Sequence, residues 1–122
     1  MFVTLFKHHQ LYPSPSRWFV RAVMMSSNAI VGLCTIDFHL PEVTSLKAKR
    51  GILKSMLAKL HNTFNVSAAE VDDNDQWQVA VIGIVVVSNS NRHAQQVLQN
   101  AVDWIESHYP EALIVKHKIE MI

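Results

Sequence analysis

The chain has 122 residues, 49% of them hydrophobic and 17% charged, with a formal net charge of +1. That length fits one domain, and that composition fits a packed core, not a disordered segment. A lone cysteine, Cys34, excludes an internal disulfide, and no apolar run approaches the ~20 residues of a membrane span. A reducing, cytoplasmic setting is therefore the expectation. The net charge argues neither for nor against a polyanionic partner, so its distribution along the chain matters more.

Residues 1–28 stand apart from the rest. MFVTLFKHHQLYPSPSRWFVRAVMMSSN contains a Pro-Ser-Pro stretch, and His8, His9, Arg17 and Arg21 break its apolar runs. A secretory leader needs an unbroken apolar core of about 7–15 residues, and the runs here are shorter. The periodicity suits neither a helix nor a strand. The segment reads as an N-terminal extension, with Met24 or Met25 as the natural start. The competing reading is an arm packed on the domain.

Residues 29–122 form the periodic part. Ala29 to Leu40 alternates, with Ile30, Cys34, Ile36, Phe38 and Leu40 on one face and Val31, Leu33, Thr35, Asp37 and His39 on the other. Pro41 ends this strand. Thr44 or Ser45 supplies an N-cap for a helix reaching about Phe64, with Leu46, Leu53, Leu57, Leu60 and Phe64 inward. Gly51 lies inside that helix at a cost of ~1 kcal/mol relative to Ala. Asn65 to Val71 is a short strand, and Asp72 to Asp75 is a polar turn. Gln78 to Ser88 is nearly continuous in apolar residues, as a central strand buried on both faces would be. A second helix runs from about Arg92 to His108, with Ala94, Val97, Leu98, Ala101, Val102 and Ile105 inward. The last strand, Leu113 to Met121, alternates Leu113, Val115, His117, Ile119 and Met121 against Ile114, Lys116, Lys118 and Glu120.

The order β-α-β-β-α-β predicts an α+β ferredoxin-like sandwich: a four-stranded antiparallel sheet with both helices on one face. Val31, Leu33 and the outer residues of the third strand would then leave the other sheet face apolar and uncovered. A face of that kind usually marks an interface, and the expectation is a homodimer through it.

The chemistry-bearing residues are few. Lys47, Lys49, Arg50, Lys54 and Lys59 put five of the eleven Lys and Arg on the first helix, and no acid falls between Ser45 and Asn65. Lys47, Arg50 and Lys54 follow i, i+3, i+7 spacing and share one stripe, the arrangement that phosphate contacts require. The plainer readings are a solvated face or ion pairing with Asp103 and Glu106 on the second helix. The third strand carries no aromatic to stack a base, so any RNA contact would go to the backbone. Arg92 and His93 open the second helix after Ser88-Asn89-Ser90-Asn91 and make an anion site conceivable, against ordinary capping by Ser90 or Asn91.

Asp72, Asp73 and Asp75 lack the alternating ligands, glycine and closing Glu of a calcium loop. The histidines show no metal-ligand spacing. Cys34 and the tryptophans Trp77 and Trp104 read as core residues. No catalytic residue, cofactor or metal is expected, since no nucleophile, base and oxyanion donor can be assembled.

One combination is specific as a set: Ser45-Leu46-Lys47 with Lys49-Arg50, then Phe64-Asn65-Val66-Ser67, Glu70-Val71, and Ser88-Asn89 with Arg92-His93-Ala94. In this order the segments resemble the bacterial YlxP family, also called domain-of-unknown-function 503, over Ala29 to Ile122. The resemblance implies a small ferredoxin-like domain, dimeric, with no established activity. It also implies genes placed beside those for transcription and translation factors and a ribosome maturation factor, which suggests a link to RNA or ribosomes. Family members often carry Glu where this chain has Ala48, so a reciprocal capping box from Ser45 is unavailable. Two expectations follow. One is an accessory protein touching RNA or a ribosomal particle through Lys47, Arg50 and Lys54. The other is a dimeric regulatory or small-anion-binding module using Arg92 and His93.

Overall fold

The computed structural model describes residues 16–26, 28–72 and 75–122. Its elements are α1 (Arg17–Ser26), β1 (Ile30–His39), α2 (Leu46–Thr63), β2 (Ser67–Glu70), β3 (Val79–Ser88), α3 (Asn91–His108) and β4 (Leu113–Met121). The four strands form one antiparallel sheet in the order β2-β3-β1-β4. From β1 onward this is the ferredoxin-like α+β arrangement, with the two most apolar strands in the centre.

The alternation in β1 selects the core. Cys34, Ile36 and Phe38 are buried, as are Ile82, Ile84 and Val86 beside them on β3. Leu53, Met56 and Leu60 of α2 and Leu98, Ala101, Val102 and Ile105 of α3 close the same cluster. Gly32 permits close packing there: a Cβ at this position would lie 2.9 Å from Leu98 Cδ1 and 3.1 Å from Met121 Cε. Both long helices start on a serine cap. Ser45 Oγ accepts from Ala48 N at 3.1 Å, and Ser90 Oγ accepts from His93 N at 3.2 Å. With Ala at position 48, the first cap is one-sided.

The two helices run antiparallel and overlap only in part. Tyr109, just past α3, meets Ser55 through a 2.8 Å hydroxyl pair, while Trp104 meets Phe64 edge-on at 6.2 Å. Residues 103–109 therefore lie beside the second half of α2. The first half, where Lys47 and Arg50 sit, extends beyond the end of α3.

Three expectations need correction. The segment before Ala29 is not without regular structure, because Arg17–Ser26 is a helix whose start is capped by Ser16 Oγ accepting from Phe19 N at 3.1 Å. Only Arg17 and Arg21 interrupt its apolar residues up to Met25, so periodicity has little contrast to detect. The readings that rest on residues 1–15 lie outside the described residues. In β4 the alternation changes phase: Asp37 pairs with Lys116, but Phe38 pairs with Ile114, with Val115 as the extra residue of a bulge. Ile114 therefore packs against the core, while Leu113 and Val115 are exposed. Finally, Lys49 does not belong to the solvated basic face but is buried.

Candidate nucleic-acid interface

The five cations of α2 separate by their surroundings. Lys49 Nζ donates to the Gln76 carbonyl at 3.1 Å and lies 3.3 Å from Glu70 Oε2. It ties the helix to β2 and the following loop. Lys59 Nζ sits 5.6 Å from the centroid of the Tyr109 ring, a cation–π distance. Lys47, Arg50 and Lys54 are exposed on the outer face, and none of them makes an ion pair among the described residues. At 1.5 Å per residue, Lys47 and Lys54 stand roughly 10 Å apart along the helix axis. Pairing with Asp103 or Glu106 does not occur. The partial overlap of the helices puts those acids beside the other end of α2.

The stripe is smooth as well as positive. Gly51 and Ala58 lie among the cations, both exposed, and a Cβ at Gly51 would meet nothing within 4 Å. No aromatic side chain falls within the stripe, so its chemistry is charge on a rigid surface without a stacking platform.

Arg92 and His93 do not converge on one point. His93 Nδ1 lies 3.2 Å from Ser88 Oγ, while its backbone N–H donates to Ser90. Arg92 instead borders a shallow depression with Gln95, Gln96, Gln99 and Ile119. Ser90 is the helix cap, as the plainer reading has it.

Other candidates resolve structurally. Cys34 is fully buried, and burial pushes its thiol up to about 11, far from a thiolate at neutral pH. Trp104 stacks on His108 at 4.6 Å and packs near Phe64 and Tyr109, so it is an anchor. Trp77 is not one, because it is exposed. Asp73 and Asn74 of the acidic turn lie outside the described residues. Among the described residues no three His, Cys, Asp or Glu could share a metal ion. No helix there is long and apolar enough to cross a membrane.

Sequence reasoning missed two contacts made from α2. One is the Lys49–Glu70 pair. The other is His61, whose Nε2 accepts from Ala68 N at 3.1 Å and covers part of the β2 edge. Neither shows in a single-helix pattern, because each partner lies in the strand after the helix.

The family described as "Protein of unknown function (DUF503)" matches residues 31–119. The "Uncharacterized protein YlxP" of Bacillus subtilis (strain 168) is 35% identical over 82 residues, covering 67% of this chain and 88% of that protein.

Proposed function

The chain belongs to the DUF503 family, which includes the YlxP protein of Bacillus subtilis, and from that premise we propose a non-enzymatic, cytoplasmic accessory protein. Its outer α2 face meets the phosphate backbone of RNA, free or in a ribosomal particle. The observation that carries this reading is the division of charge on α2. Two cations are engaged inside the chain, while Lys47, Arg50 and Lys54 point outward without an acidic partner among the described residues. A helix that places Lys47 and Arg50 in or near its first turn opposes its own dipole there. Helix stability therefore does not account for them. Contacts of this type position a backbone and read no base.

The experiment is a salt titration of RNA and ribosome binding by the full chain and by the Lys47→Gln, Arg50→Gln, Lys54→Gln triple variant. Glutamine keeps length and helix propensity, so the fold is retained. Binding should weaken alike for every RNA sequence, and the slope of log affinity against log salt should flatten by roughly 2–3 units. Absence of salt-dependent association by the unaltered chain would overturn the proposal. The second reading, a regulatory or small-anion-binding module, rests on Arg92 at its glutamine-lined depression. It requires phosphate binding that survives the triple change and is lost in Arg92→Gln.

A further inference from the structure

We propose that two copies of the chain associate through the outer edge of β4. The two strands would run antiparallel about a two-fold axis at Ile119, so that Lys118 of each copy faces Glu120 of the other.

The two edges of the sheet are treated differently. At one end β2 is only Ser67–Glu70, and the His61 imidazole from α2 accepts from its Ala68 N–H. At the other end β4 runs from Leu113 to Met121 and, among the described residues, pairs with β1 alone. A long strand with one row of backbone groups unpaired is a template for another strand. Just beyond it the apolar Ile122 is 55% exposed.

Charge then selects the occupant and the register. An axis normal to the sheet pairs residue i with residue j at a constant sum and keeps like faces together. An axis at His117 would set Lys116 against Lys118 twice, and one at Lys118 would set Lys118 against itself. Like charges directly opposite are unfavourable. An axis at Ile119 pairs Lys118 with Glu120 twice, Ile119 with Ile119, and His117 with Met121. It uses residues 116–122 and leaves the Val115 bulge outside the paired run. Lys118 and Glu120 already lie 3.3 Å apart within the chain, so the dimer completes a square of alternating charges.

The open sheet face is the weaker candidate. Val71 Cγ1 would lie 3.0 Å from a Cβ at Gly83, so the chain partly fills this face itself. Val31, Leu33, Val81 and Val85 are already half-buried there. Edge pairing also keeps all four long helices on one side of an eight-stranded sheet. In each copy α2 packs by β2, at the far side from the seam. At about 4.8 Å per strand, the two basic stripes would stand roughly 30 Å apart, facing the same way.

The test is a charge exchange read by sedimentation equilibrium at low salt on the full chain. The unaltered chain should be dimeric. Lys118→Glu and Glu120→Lys should each weaken association at least tenfold, and an equimolar mixture of the two variants should restore a heterodimer, visible by native mass spectrometry. Effects confined within one chain cannot produce recovery on mixing. Independently of charge, Ile119→Cys should oxidise to a disulfide-linked dimer, because facing residues in an antiparallel pair lie within disulfide reach. The buried Cys34 does not compete. Val87→Cys, 68% exposed on the open face, should not crosslink. A monomeric unaltered chain at ~100 µM, no recovery on mixing, or crosslinking at Val87→Cys but not at Ile119→Cys would overturn the proposal.

Discussion

Lys49 shows how much one side chain can depend on its surroundings. It is 2% exposed, its ammonium bonded to the Gln76 carbonyl and placed 3.3 Å from Glu70, whose side chain is 30% exposed. Withdrawing a cation from water is costly, and the acid and carbonyl offset that cost. The two partners are therefore not equivalent. Glu70→Ala removes a charged partner of this buried ammonium and should lower stability by about 2–4 kcal/mol. Lys49→Met fills the same space without charge, and Glu70 can turn to water, so its loss should stay under about 1.5 kcal/mol. Urea unfolding of both variants decides this; equal losses would mean that Lys49 serves as packing and its charge does not matter. The sequence shows Lys49 as one of five helix cations. Glu70 and Gln76, brought in from β2 and the loop after it, separate it from Lys47 and Arg50.

At the scale of elements, α2 carries a defect that nothing in the fold requires. Gly51 is interior to the helix, exposed, and has nothing within 4 Å of a Cβ. Gly51→Ala should raise stability by about 1 kcal/mol by restricting the unfolded chain and favouring the helix. In a domain of this size that corresponds to a midpoint roughly 4 °C higher in a thermal melt. An unchanged or lower midpoint would mean that the helix is held by packing alone. The same substitution at Gly32 would drive a Cβ into Leu98 and Met121. Residue type alone does not distinguish these two glycines. The strand β4 makes a related point, because its alternation is regular in sequence and the bulge at Val115 reverses it. A bulge is set by pairing with β1, which a one-strand pattern cannot reveal.

At the scale of the whole molecule, α1 precedes the periodic core. Trp18 and Phe19 are both exposed. Removing residues 1–28 should leave the periodic core folded, with the melting midpoint falling by less than the ~4–8 °C that about 1 kcal/mol produces in a small domain. A larger drop would make the segment structural.

By itself the sequence determined the order of strands and helices from β1 onward, the core face of β1 and α3, and the helix caps to within one residue. These are local properties: a period of two or 3.6 and a hydroxyl before a helix leave their mark within a few residues. It also determined the family, through the order of several short segments. Tertiary structure decided which of five cations remain at the surface and that Asp103 and Glu106 lie out of their reach. It decided, too, that Ile114 and not Leu113 faces the core, and that one sheet edge is partly covered by His61 while the other, among the described residues, has no strand beside it. Each of these depends on what lies opposite a residue in space, and burial, ion pairing and strand register are set by neighbours that the chain brings together only on folding.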